Sequence, residues 1–426
     1  MKLTNEQKAI LEGSQGEVKA LMIKTLIMFG EIFGAKRLVP VTHKTGHLVT
    51  SFGIGLLKPL YRTMDRIIAD GLKAEGGFTV DPRPIDYANV KCSALEKLVF
   101  SKIMYSRQKE YEEQLKKVGL KNDNAFSCTC YLEEVGNLPK EGDILSWAES
   151  SAVVFANSAL GARCNRNSGM FDLFGAILGY VPEFGLLTDE GRKADWIVHV
   201  RTTKKPEAQI LGSAIGLKVM ESVPYITGLD RFVGTSMNDS AIAYLKDFGA
   251  ATASNGAVGL YHIENLTPEA KRMGKDLIKE GAHEYIIDDA ELERVYNSYP
   301  VMWKKAESKP QMCFIGCPHL SFAQLNDWTK KIGNGLRDND KTKVAIRTIL
   351  SASPDVVEKF KKTDAYENLY AAGGRLTSIC PLMYTNNPLT RKRNIATNSN
   401  KLRTYSAARY YKDDELLNII IGKEGK

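Results

Sequence analysis

Seven cysteines occur in the 426-residue chain, at positions 92, 128, 130, 164, 313, 317 and 380. Three stand where chemistry is most accessible in an α/β protein. Cys128 closes the run NAFSC, Cys317 follows QMCFIG and Cys380 closes GRLTSIC. Each run reads as a short buried strand, and open parallel sheets bind ligands in the crevice beyond the carboxyl ends of their strands. Thiols placed there can meet at one point however distant they are in sequence. Free cysteines are more often small apolar core residues, and local spacing does not choose: CTC and CFIGC match neither a zinc ribbon nor the bacterial ferredoxin run. Cys92, Cys130, Cys164 and Cys313 are read as packing residues. Cys317 is distinguished by its surroundings, GCPHLS: Gly316 allows close backbone approach, Pro318 fixes the turn, His319 stands beside the thiol, and Ser321 opens a helix whose N-terminus favours thiolates and anions. A Cys–His pair for nucleophilic catalysis fits the same residues.

A second concentration of chemistry lies in WAESSAVVFANSALGARCNRNSGM, Trp147 to Met170. Its texture is that of a buried helix, yet it carries Glu149, Asn157, Arg163, Asn165 and Arg166. An unpaired buried polar group costs roughly 2–7 kcal/mol, so each of these needs a partner. Ser150 or Ser151 reads as the N-cap of the helix AVVFANSALGA, the stretch from Gly161 to Gly169 breaks it, and SGMFDLFGAIL starts another. Two helix starts flanking Arg163 and Arg166 offer N–H groups, hydroxyls, amides and guanidiniums, which together suit a carboxylate or phosphate. Salt bridges across a helix junction satisfy the arginines equally well. Near the C-terminus, ATNSNKLRTYSAARYY repeats the pattern with Thr397, Asn398, Ser399 and Lys401 at a helix start. It is not a Walker loop, and taken alone it reads as an ordinary Asn/Ser turn.

These residues must be positioned by an alternation of helices and short apolar strands. EVKALMIKTLIMFGEIFG places Val18, Leu21, Met22, Leu26, Phe29 and Ile32 on one helical stripe ahead of KRLVPV. The step recurs in FGIGLLKPLYRTMDRIIADG before GGFTVD, SALEKLVFSKIMYSRQKEYEEQLKKVG before NAFSCTC, and SPDVVEKFKKTDAYENLYAAG before GRLTSIC. Such alternation predicts parallel sheets covered by helices. Thr267-Pro268 and Ser353-Pro354 read as N-caps followed by proline, and Ser321 with Gln324 has capping-box spacing. There is no repeat, low-complexity tract or long linker. Boundaries near residues 140 and 300 give subdomains 1–140, 141–300 and 301–426.

The bulk composition, 43% hydrophobic and 25% charged, is that of a globular protein and excludes a disordered or fibrous chain. A net charge of +8 is spread among interleaved acids, apart from RKR at 391–393, so a solvated surface explains it better than nucleic acid does. No apolar run reaches the length of a membrane span, and MKLTNEQKAIL lacks a signal-peptide core. A cytoplasmic location is expected, and an odd cysteine count there argues against a disulfide framework.

Taken in order, SCT at 127–129, AESSAVVFANSALGARCNR at 148–166, GCPHLS at 316–321, Cys380 and TNSNK at 397–401 resemble the catalytic large chain of the aconitase X family. The long central segment is highly specific, and the resemblance covers nearly the whole chain. It implies an aconitase-like α/β core of parallel sheets covered by helices, in two to three subdomains, that binds an iron–sulfur cluster and dehydrates a small anionic 3-hydroxy acid such as cis-3-hydroxy-L-proline or 5-phosphomevalonate. By motif position Cys128, Cys317 and Cys380 become the cluster ligands. The lone cysteine and later C-x-x-C of aconitase proper are missing, so nuclearity does not carry over. Glu149, Ser150, Ser151 and His319 would line the reaction centre, and His43, Asn157, Arg163, Asn165, Thr397, Asn398, Ser399 and Lys401 would bind substrate. The family's swivel domain has no counterpart in this chain, which implies a separate small subunit. VTHKTGHLVTSFG, VDPRPIDYAN, CTC and GARCNR depart from the family pattern; His43, His47 and Arg83 in the first two could face substrate or the surface, and Cys130 or Cys164 in the last two could sit near the cluster. Two other classes compete: a cluster-free enzyme centred on Cys317 and His319, and a non-catalytic regulator that binds nucleic acid through RKR.

Overall fold

The computed structural model describes residues 1–387 and 389–423. Its strand content is dominated by two parallel sheets. In the first, Met312–Leu320 is central, with Arg347–Ala352 then Arg375–Thr377 on one side and Ile395–Thr397 then Arg409–Tyr410 on the other. All nine residues of Met312–Leu320 are buried, as expected of a parallel strand covered on both faces. The second sheet runs His262–Ile263, Pro224–Thr227, Ala194–Val200, Ile278–Ile287, again wholly parallel. Two small pairs complete the set: Gly46–Leu48 is parallel to Phe78–Val80, and Leu38–Pro40 is antiparallel to Tyr180–Pro182. The expected α/β class with helix-covered parallel sheets is borne out. No helix among the described residues is long and apolar enough to cross a membrane.

The helix Asp239–Gly256 joins the parts that matter most. It touches Ala208–Val219, Ser150–Ser158 and Asn400–Tyr405. Its closeness to Ala208–Val219 depends on glycine: a Cβ on Gly216 would lie 2.7 Å from the Thr252 carbonyl oxygen, and one on Gly256 would overlap Gly216. Gly249 sits against Val154 of Ser150–Ser158. One buried rod therefore braces the helix after Glu149 and the helix that bears Lys401.

The Ser321–Gln324 capping box is present, and the Ser353 hydroxyl accepts from Val356 N. The helix Glu17–Ile32 buries Val18, Met22, Ile23, Leu26 and Gly30, whereas Leu21 and Ile32 are exposed. Its buried face is thus rotated from the expected stripe. SALEKLVFSKIMYSRQKEYEEQLKKVG is broken by a π-helical turn at Phe100–Met104, between Ala94–Val99 and Gln108–Val118. NAFSC is no full strand: Phe126 makes one bridge to Val80 before the chain turns. Cys317 lies inside its strand rather than after it, near a register shift opposite Leu350–Ala352.

Candidate functional site

The helix Ser150–Ser158 is capped by Glu149, not by Ser150 or Ser151. The expectation of a serine cap fails because a carboxylate does the same work with charge: Glu149 Oε2 accepts from Ala152 N at 2.6 Å and from Ser151 Oγ at 2.7 Å, beside the positive end of the helix. Holding it there puts Glu149 at φ 96°, a conformation L-residues seldom adopt. Its other oxygen accepts from Lys401 Nζ, which also donates to Ser151 Oγ at 3.2 Å. Lys401 stands in the first turn of Asn400–Tyr405, whose N-cap Ser399 accepts from Leu402 N and donates to the Cys317 carbonyl. Burial works against both charges, yet the pair prevails. Glu149 is held below the ordinary carboxylate range by Lys401 and its hydrogen bonds, and Lys401 above the ordinary lysine range by Glu149 and the nearby thiols.

Those thiols are Cys317, Cys128 and Cys380. The Cys128 sulfur accepts from the backbone N–H of His319 at 3.4 Å. Cys380 N donates to Arg83 O at 2.8 Å, and Cys317, 8% exposed, is in electrostatic reach of both other thiols. Burial first, then neighbouring Glu149 and Asp81, push the Cys128 thiol well up. Burial and the Cys317 thiol push Cys380 up to about 12. Lys401 opposes the rise at all three. Among the described residues, no three His, Cys, Asp or Glu side chains are grouped closely enough to hold a metal ion.

His319 is not paired with Cys317. Its Nε2 lies 3.1 Å from the Ile379 carbonyl, which can only accept, so that nitrogen carries the proton and Nδ1 accepts from Ser127 Oγ at 3.2 Å. Burial lowers its pKa to about 4. A neutral imidazole with both nitrogens bonded orients the Cys128 and Cys380 segments and has no nitrogen left to activate a thiol.

Family models described as the aconitase X first, second and third domains match residues 1–190, 194–297 and 310–416. This chain belongs to the aconitase X family. The phosphomevalonate dehydratase large subunit of Methanocaldococcus jannaschii is 30% identical over 415 residues, covering 95% of each chain. That of Thermococcus kodakarensis is 32% identical over 329 residues, 77% of this chain and 76% of the relative. The cis-3-hydroxy-L-proline dehydratase of Hypocrea jecorina is 26% identical over 416 residues, 95% of this chain and 65% of the relative. The crystal structure of Thermococcus kodakaraensis aconitase X in its holo-form superposes with a TM-score of 0.80 at 28% identity, covering 99% of this chain and 100% of that one. The relatives are dehydratases, and this aconitase X chain is a hydro-lyase.

The structure divides the candidate residues of this aconitase X chain into two groups. Glu149, Ser151, Lys401, Ser399, Cys128, Cys317 and Cys380 converge, with Ser150 Oγ on Glu149 Oε1 and Thr397 Oγ1 receiving Ser399 N. Asn398 points elsewhere and donates to Asp413 at 2.9 Å. With Cys317 it lines a cleft of about 430 Å³ that also meets Glu207, Lys331 and Asp413. Burial, then the Asp413 charge, raises the Glu207 carboxyl to about 7. Asn157, Arg163 and Asn165 are bonded within the protein. Asn157 bridges Cys164 and Gly259, Asn165 bridges Phe184 and Leu186, and Arg163 binds Asp189 at 2.5 Å and the Leu187 carbonyl. His43 is partly buried on Asn137, 2.7 Å away. In RKR, Arg393 is tied to Glu96 at 2.5 Å.

One residue at the centre was not singled out from sequence. Asp81, directly after Phe78–Val80, is in electrostatic reach of Glu149, Lys401, Cys128 and Cys380. The sequence carries a signal for it: Asp81 follows a strand end, the same kind of place the sequence predicts for Cys128, Cys317 and Cys380.

Proposed function

We propose that this chain is the large subunit of a cytoplasmic iron–sulfur hydro-lyase that removes water from a small 3-hydroxy acid of the cis-3-hydroxy-L-proline or phosphomevalonate type, together with a separate small swivel subunit. The observation that carries this reading is the convergence of three thiols, from three distant segments, on the Lys401–Glu149 pair. Three soft donors suit an iron–sulfur group. Cys128, Cys317 and Cys380 would hold it. When bound, it supplies Lewis acidity toward the departing hydroxyl.

The chain's own groups do the rest. Lys401 binds the substrate carboxylate and stabilises the charge that develops as the neighbouring C–H bond is broken. Glu149 and Ser151 fix the ammonium, and Ser399 fixes the start of its helix against Cys317. Thr397 and Ser150 support those two anchors. Arg163, Asn157 and Asn165 hold the junction instead of substrate, and His319 positions the thiol segments.

The test is an anaerobic visible spectrum with iron and sulfide analysis of the chain co-expressed with its small partner. Brown absorbance is expected to survive Cys92→Ser and to vanish in Cys128→Ser, Cys317→Ser or Cys380→Ser. A colourless, iron-free preparation that still dehydrates would overturn the reading.

A further inference from the structure

Dehydration of a 3-hydroxy acid moves protons at two places. The Cα–H pair becomes the new double bond, the C–O pair leaves on oxygen, and that oxygen needs a proton to depart as water. Lys401 is held charged by Glu149, and His319 has both nitrogens bonded. Neither is suited to deliver that proton. Asp81 and His47 are.

The segment Asp81–Arg83 lies between two of the cysteine segments. Ser127 N donates to Val80 O at 2.8 Å, one residue before Cys128, and Cys380 N donates to Arg83 O at 2.8 Å. His47 belongs to the neighbouring strand Gly46–Leu48, and Ala148 N donates to its carbonyl at 2.9 Å, beside Glu149. The imidazole is fully buried. Its Nδ1 meets Thr79 Oγ1 at 2.8 Å, and Asn137 fixes that hydroxyl from the other side at 2.8 Å. Its Nε2 stands 3.6 Å from Asp81 Oδ1, too far for a hydrogen bond. Both atoms are buried with no hydrogen-bond partner among the described residues. Buried orphans facing each other are costly in a purely structural role. They are intelligible in a pair that passes a proton and tightens when substrate binds.

Resting on the dehydratase reading above, we propose that Asp81 is the general acid that protonates the departing hydroxyl, with His47 the positioning residue that holds it and returns its proton. The Asp81 O–H bond breaks as the new O–H bond of water forms, the C–O pair having left on that oxygen. The resulting carboxylate is reprotonated from the His47 imidazolium. The α-proton goes to a second base outside this pair. Proximity to Cys128 and Cys380 puts Asp81 on the side where hydroxide leaves. Burial also raises its carboxyl to about 6, toward the range that suits a general acid.

The test uses the complex with its small partner, whichever of cis-3-hydroxy-L-proline and phosphomevalonate it turns over, and the analogue with fluorine in place of the departing hydroxyl. Fluoride leaves without a proton. Asp81→Asn is expected to lower turnover of the hydroxy acid by about 10²- to 10⁴-fold while changing the fluoro analogue by roughly threefold or less. His47→Gln should show the same split at about tenfold. Iron content should match throughout. Equal slowing of both substrates, or an unaffected hydroxy acid, overturns the proposal. Should Asp81→Asn fail to fold, His47→Gln carries the same comparison and equal slowing there overturns it. A parent complex that dehydrates neither hydroxy acid overturns the substrate reading itself, before any variant is made.

Discussion

Two buried ion pairs, Arg192–Glu269 and Lys401–Glu149, use the same chemistry to opposite ends. Arg192 is 1% exposed. Its guanidinium makes three contacts of 2.7–3.0 Å to Glu269, and its remaining N–H groups reach the carbonyls of Leu186 and Asn157, each at 3.0 Å. Even the neighbouring His262 is closed off by bonding the Arg192 carbonyl, and burial lowers its pKa to about 4. Nothing is left over to meet a ligand. Lys401 has three N–H donors and, among the described residues, two acceptors, Glu149 and Ser151. It keeps 12% side-chain exposure and faces thiols. A planar fork saturated by backbone carbonyls ties segments together; a point charge with a spare donor is ready for an anion.

Breaking each pair should therefore be read out in different quantities. The largest expected effect is on turnover. Lys401→Met removes the charge that meets the carboxylate, and kcat/KM of the complex should fall about 100-fold or more, with iron content unchanged. Retained activity in a folded, iron-replete Lys401→Met complex would put the substrate carboxylate elsewhere. Next is a stability effect without a catalytic one. Arg192→Met strands a buried carboxylate and should cost about 3–5 kcal/mol in denaturant unfolding, while Arg192→Met with Glu269→Leu recovers most of it. Activity per folded molecule should remain at the parental level in both. A loss of turnover beyond the unfolded fraction would show that the closed pair also serves the site.

The contrast also marks what could be read in the sequence. Residues whose role is local were legible: the Ser321–Gln324 box, the helix after Cys317, the turn before Lys401, and the alternation that yields parallel sheets. What was not legible depends on distant partners. Glu149 and Lys401 are 252 residues apart, and nothing near either specifies the other. Arg163 looked ready for substrate because the loop bearing Asp189 could not be placed against it. The helix Glu17–Ile32 was assigned a face from its own periodicity, but the packing of Pro182 and Ala35 around Gly30 sets the buried side. Glu149 displaced the serines as cap because a long-range lysine stabilises a carboxylate there, and local cap preferences do not register such a partner.

A third buried ionisable group tests the comparison from its far limit, a carboxyl with no ion-pair partner among the described residues. Asp172 is fully buried; Oδ1 accepts from Leu173 N at 2.7 Å and Oδ2 has no partner among the described residues. Burial raises its pKa to about 7 from an ordinary value of 3.8. A folded-state pKa above the unfolded one means the native protein binds the extra proton between those values, so this residue's contribution is intact below about pH 4 and is lost as pH rises toward 7. Asp172→Asn keeps the shape and removes the titration. It should unfold at the same denaturant concentration as the parent near pH 4 and be more stable by about 1–3 kcal/mol at pH 8. A variant less stable than the parent at pH 8 would mean that Asp172 is paired after all and belongs with Glu149, and equal stability at both pH values would mean that burial does not shift it. A gain confined to high pH would show that a partner cation, rather than burial, separates the carboxylates this fold keeps charged from the one it keeps neutral.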